Sequence, residues 1–204
     1  MIRLRASDGN FVTGLLVSKD YGEIEEILDT PVLVQIHGLL GHFLARGTPR
    51  MLPSAMLERG FSSMSINTRL AFAGQFTGKG IFDDTLLDID AALSFLNERG
   101  FNNIFILGYS LGASILAYWI ARRMPRNVKG IVFEGIHFST PEAQKRRLEK
   151  WNSSPTYQRI YERARDVLGE DPYFSKRDEI FVVYGARGAT SEPTDNEIFT
   201  YKTW

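Results

Sequence analysis

The stretch from Asn103 to Ala121, NIFILGYSLGASILAYWIA, joins a short apolar run to a longer one through Gly108-Tyr109-Ser110-Leu111-Gly112. Ile104 to Leu107 suit a buried strand, and Ala113 to Arg123 are helix-forming. A strand that turns abruptly into a helix forces its apex residue into a strained backbone conformation, so small neighbours are needed on both sides. Gly108 and Gly112 meet that need, with Ser110 at the apex. The serine hydroxyl is then expected to project above the sheet. The helix N-terminus beneath it offers free N–H groups and partial positive charge to a developing oxyanion. A bare G-x-S-x-G arises by chance in roughly one chain in twenty of this size, so the strand-then-helix context carries the reading.

A rival reading of the same stretch is a membrane span, because the eighteen residues from Ile104 to Ala121 carry no formal charge and Arg122 and Arg123 would flank them. Gly108, Ser110, Gly112 and Ser114 in mid-segment argue against it. A strand followed by a helix in a central α/β core explains the same apolarity, and no membrane span is expected.

Working outward, Pro31 to His37 is a continuous apolar run ending in Gly38, as expected for a strand buried on both faces of a parallel sheet. Ile2 to Arg5 and Phe11 to Val17 are β-like runs around the Ser7-Asp8-Gly9-Asn10 turn, which predicts an N-terminal hairpin. Arg50 to Arg59 reads as helix and Phe61 to Asn67 as strand. Phe82 to Arg99 reads as a long helix with Leu86, Leu87, Ile89, Ala92, Leu93 and Leu96 on or near one face, stopped by Gly100. Val128 to Glu134 predicts a further apolar strand. The alternation points to a doubly wound α/β core with a mainly parallel sheet.

From Ser139 to Asp178 the sequence turns charged and aromatic, with Trp151, Tyr157, Tyr161 and Tyr173 among many Arg, Lys and Glu residues. The expected organisation is a core over 1–138 and an inserted helical cap over 139–204, the latter extending to the start of a late core strand. The basic run Lys145-Arg146-Arg147 has Glu142 and Glu149 beside it and reads as a solvated helix face rather than a nucleic-acid site.

At 204 residues, 44% hydrophobic and 24% charged, the chain has the length and composition for one substantial core. Basic and acidic residues number 24 each, so no global field favours nucleic acid or an anionic membrane. The absence of cysteine excludes disulfides, thiolate metal sites and a cysteine nucleophile. MIRLRASDGN lacks a signal peptide's apolar stretch, so a cytoplasmic protein is expected. Three dispersed histidines without a supporting acidic cluster predict no metal site. Gly78-Lys79-Gly80 lacks the spacing of a phosphate-binding loop, and no G-x-G-x-x-G follows an early strand.

HGLLGHF, the strand ending in Asn67-Thr68-Arg69, and GYSLGAS occur in the order found in the α/β-hydrolase superfamily, which the chain resembles over residues 1 to about 135. The resemblance implies an esterase-like acyl hydrolase, needing no cofactor, that acts on a small-molecule acyl substrate. It implies Ser110 as nucleophile and the backbone N–H of Leu111 as one oxyanion donor. Leu39, just after His37-Gly38, takes the place of the second donor, and Gly38 lets that loop approach the substrate.

The superfamily takes its general base from a histidine after the serine and after the acid, yet no histidine follows His137. The leading expectation is a fragment lacking the last strands, with the acid and histidine loops, so the chain alone should hydrolyse aryl esters negligibly. Phe181 to Gly185 reads either as an acid-bearing strand followed by Asp195 or, in preference, as part of the cap. Glu134 and His137, at the end of the strand beside Ser110, are a weaker acid and base pair. His37 is expected to orient the oxyanion loop through hydrogen bonds rather than act as a base. The alternative function is a catalytically silent module of the same fold that binds a ligand or partner.

Overall fold

The Ser7–Asn10 turn closes through Ala6 N–H donating to Asn10 O at 2.8 Å and Asn10 N–H donating to Asp8 Oδ1 at 3.1 Å. It joins β1 (Ile2–Arg5) to β2 (Phe11–Val17) as the expected antiparallel hairpin, with Arg5 opposite Phe11. β2 pairs antiparallel with β4 (Ser62–Asn67). Beyond that pair every neighbour is parallel, and β3 (Val32–Ile36), β5 (Ile104–Tyr109) and β6 (Val128–Glu134) complete the order β1-β2-β4-β3-β5-β6. This computed structural model describes residues 1–18, 30–38, 41–71, 82–123 and 127–136, together with seven positions between Arg146 and Glu162.

Three helices connect the parallel strands: α1 (Thr48–Glu58), α2 (Thr85–Glu98) and α3 (Leu111–Arg123). α1 starts two residues before its expected position because Pro49 is tolerated in a first turn, where its missing N–H has no partner to lose. α2 starts three residues later than expected, after turns at 82–84. It ends where Gly100 takes φ +83°.

The chain runs from β3 outward to β4, then crosses back over β3 to β5 and on to β6. Right-handed crossovers therefore put α1 on one face of the sheet and α2 and α3 on the other. The reversal brings the carboxyl ends of β3 and β5 side by side, which is the switch point where such sheets bind ligands. Strand register sets Val34, Ile36, Met64, Ile66 and Ile106 on one face, all fully buried. Each such side chain contributes about 1.5–3 kcal/mol over an exposed one. The opposite face is more polar: Gln35, Ser63 and Ser65 are buried there, with Ser65 Oγ donating to Gln35 Oε1 at 3.2 Å.

β6 is the least buried of the parallel strands. Ile131, Val132 and Phe133 are 38%, 47% and 43% exposed. The reason is position: among the described residues β6 is the outermost strand and has only β5 beside it. No described helix is long and apolar enough to cross a membrane; the apolar 104–121 stretch divides between β5 and α3.

The chain divides into two compact units, Met1–Ala71 with Asp84–Ile136, and Phe72–Asp83 with His137–Trp204. In the second, Arg146, Glu149, Lys150, Gln158, Arg159 and Glu162 are helical and exposed. Gln158 Nε2 donates to Glu162 Oε1 at 2.8 Å, one helical turn on. Most of the expected cap over 139–204 lies outside the described residues.

Candidate active site

Ser110 has φ +53°, and among the described residues no other non-glycine residue has positive φ. For an L-residue that conformation costs about 1–2 kcal/mol, so the surroundings must enforce it. Ala113 N–H donates to Ser110 O at 3.0 Å, so α3 begins with no intervening loop. The flanking glycines leave no alternative packing. A methyl group on Gly108 would collide with Gly112 O and lie 2.7 Å from the Ala113 backbone. One on Gly112 would lie 2.5 Å from Ile36 O and 2.6 Å from His37 O. The elbow and the end of β3 are therefore in direct backbone contact.

Gly38 completes that contact from the β3 side: a methyl group there would meet Ser110 Cβ at 3.1 Å and a Tyr109 ring carbon at 3.2 Å. Leu111 is the first residue of α3, so its N–H has no acceptor one turn earlier and points out of the helix end. Its side chain is buried and packs in the core. Tyr109 is 36% exposed beside the serine.

His37 is fully enclosed, and both ring nitrogens are occupied. Nδ1–H donates to Gly38 O at 2.7 Å, while Nε2 accepts from Thr68 N–H at 3.1 Å and from the Thr68 hydroxyl at 3.0 Å. Desolvation pushes its pKa down to about 4, against the opposing hydrogen bond to Gly38 O. A neutral ring with no free nitrogen is a strut, not a proton acceptor. Gly38 O also accepts from Gly41 N–H at 3.1 Å, which fixes the direction of the loop. His42 closes the next turn, its carbonyl accepting from Ala45 N–H and its Nδ1 from Leu44 N–H.

The carboxyl end of β4 supports this loop through Asn67 and Thr68, and the next residue, Arg69, ties β4 to α2 and the hairpin turn. Asn67 Oδ1 accepts from Phe43 N–H at 2.8 Å while its Nδ2 donates to Thr13 Oγ1. Thr68 holds His37. Arg69 donates through Nη2 and Nε to Asp88, which is fully buried, and through Nη1 to Asp8 in the hairpin turn at 2.7 Å. Burial works against the Arg69 charge, but its bonds to Asp88 and Asp8 outweigh that and raise its pKa. The bond from Arg69 is also the main cause that lowers the Asp8 pKa.

Glu134 is brought to the elbow: its carbonyl accepts the Ser110 N–H at 2.7 Å, and Oε1 accepts from the Thr48 hydroxyl at 2.9 Å. Thr48 and Asp88 have no sequence signal of their own, since both partnerships join residues far apart in the chain. Leu39, His137 and Asp195, expected in the site, lie outside the described residues. No group of three or more His, Asp or Glu residues able to hold a metal ion occurs among the described residues.

No protein-family model matches the sequence. Over 121 residues it is 29% identical to a 2-succinyl-6-hydroxy-2,4-cyclohexadiene-1-carboxylate synthase from Serratia proteamaculans, covering 59% of this chain and 44% of that protein. Over 117 residues it is 30% identical to an abhydrolase domain-containing protein from Dictyostelium discoideum, covering 55% of this chain and 30% of the other. The aligned part is thus under half the length of either relative. An esterase from Pyrococcus furiosus superposes with a TM-score of 0.61 at 16% identity, over 79% of this chain and 57% of its own.

Proposed function

We propose that this chain, which belongs to the α/β-hydrolase superfamily, is a serine hydrolase cleaving a carboxylic ester or related small acyl substrate through an acyl-enzyme on Ser110. The observation that carries the reading is the left-handed backbone of Ser110, φ +53°, wedged between Gly108 and Gly112 with Gly38 against it. A protein does not hold a serine in that conformation by accident of packing, because a glycine there would remove the strain.

In this reading the Ser110 hydroxyl attacks the substrate carbonyl, and the tetrahedral oxyanion accepts hydrogen bonds from Leu111 N–H and Leu39 N–H. His37 and the Gly41-to-Gly38 hydrogen bond fix the described residues on either side of that second donor. His37 itself does not take the serine proton, so the base comes from elsewhere, with His137 and the carboxylates Asp195 and Glu134 as candidates in this chain. We take residues 1–138 as the catalytic core and 139–204 as a cap insertion. One relative is named a synthase, so the fold alone does not choose the reaction.

The occupied His37 ring gives weight to a second reading, a silent module that binds its ligand at the switch point without turnover. A fluorophosphonate probe applied to the full-length protein separates the two. Labelling that disappears in Ser110→Ala is the expected result, and folded protein that takes no label makes the silent module correct.

A further inference from the structure

The Ser110 amide donates to Glu134 O at 2.7 Å, one step beyond the Tyr109–Glu134 pair that ends the β5–β6 ladder. The strained apex is therefore hung from the last carbonyl of a strand. Strand ends fray, and this one has little to prevent it: Gly135 follows at once with φ +67°, and among the described residues β6 has one neighbour in the sheet. The side chain of the same residue supplies a second hold. Glu134 Oε1 accepts from the Thr48 hydroxyl at 2.9 Å across 86 positions of sequence. Thr48 opens α1, whose cap residue Gly47 offers no side-chain bond and whose first turn has no acidic residue. A carboxylate at that end meets the positive pole of the helix. β6 thus provides the anion that α1 lacks in its own sequence.

We propose that Glu134, tethered by Thr48, is a positioning residue for Ser110: its carbonyl sets the serine amide while its carboxylate locks that carbonyl to α1. The inference rests on the serine-hydrolase reading, and it makes the Glu134 carboxylate an anchor rather than a member of a proton relay.

The test is the inactivation kinetics of full-length protein by a fluorophosphonate, resolving kinact from KI, with thermal midpoints measured alongside. Thr48→Val should lower kinact about tenfold with KI within about twofold, the scale of one lost hydrogen bond to a charged acceptor. Thr48→Ser, which keeps the donor, should restore kinact. Glu134→Gln keeps an acceptor and should leave the pH dependence of kinact in place. A purely structural bond would lower the thermal midpoint of Thr48→Val and leave kinact of the folded protein at the wild-type value, which overturns the proposal. Abolished labelling or a displaced pH profile in Glu134→Gln, with Thr48→Val unaffected, also overturns it by making Glu134 a relay acid. If Thr48→Val does not fold, Thr48→Ala is judged by the same criterion. Folded wild-type protein that takes no label removes the serine-hydrolase reading itself, and the positioning role with it.

Discussion

The elbow after β5 and the carboxyl end of β4 hold the same loop by opposite means. The elbow works by exclusion: backbone carbonyls and Cα atoms stand so close to Gly108 and Gly112 that only hydrogen fits, and Ser110 is left with one conformation. The end of β4 works by attachment, with Asn67, Thr68 and Arg69 each reaching a different element. Exclusion is insensitive to pH and intolerant of a single added carbon. Attachment tolerates small changes of shape but fails when a charge or proton is misplaced.

Substitution and titration can break this contrast, beginning where the effect should be greatest. Asp88→Ala leaves Arg69 without its buried partner and should cost about 3–5 kcal/mol in denaturant unfolding. A loss under about 1 kcal/mol would mean that Asp8 and Asp84 suffice to hold the guanidinium, and that β4 is not anchored as described.

Titration of His37 ranks next. Its folded pKa of about 4 lies below the ordinary histidine value of 6.5, so between those values the unfolded chain binds a proton that the folded one refuses. The stability linked to His37 is whole above pH 6.5, declines as pH falls through that window, and is gone by about pH 4, a total of about 3 kcal/mol. Nuclear magnetic resonance of the His37 ring gives the check: titration near 6.5 would show that the strut is open to solvent.

Gly112→Ala tests exclusion itself and should destabilise by about 1–3 kcal/mol, because the new carbon meets two carbonyl oxygens that belong to the sheet. Calorimetry showing no change would mean that the contact between α3 and β3 is slack. The smallest effect compares Ser110→Gly with Ser110→Ala. Glycine relieves the left-handed backbone but adds freedom to the unfolded chain, so Ser110→Gly should be the more stable by about 0.5–1 kcal/mol. Equal midpoints would remove the strain on which the functional reading leans.

The two regions were also unequally legible. The elbow is written in consecutive residues, because strand, apex and helix each leave a local pattern and the steric need for Gly108 and Gly112 is a need of near neighbours. The β4 end is not. SSMSIN is a polar-rich strand, yet Ser62 to Ile66 is buried throughout: Ser65 donates to Gln35 on β3 and Ser62 to Ser18, while Ser63 Oγ has no partner among the described residues. Asn67-Thr68-Arg69 stands out in the sequence only through its resemblance to a family pattern, and the five partners of that tripeptide, Asp8, Thr13, His37, Phe43 and Asp88, are scattered along the chain. β6 is apolar in sequence, and its exposure follows from its outermost place among the described strands, which no run of residues encodes.

The sequence by itself determined the alternation of strands and helices, the hairpin at the start and a serine at a forced bend, because those depend on periodicity and on sterics between adjacent residues. Tertiary structure alone decided that the bend faces Gly38 across the switch point, that His37 is enclosed and neutral, and that Glu134 reaches Thr48. Hydrogen bonds and desolvation act between whatever groups the fold brings together, and chain distance leaves no record of them.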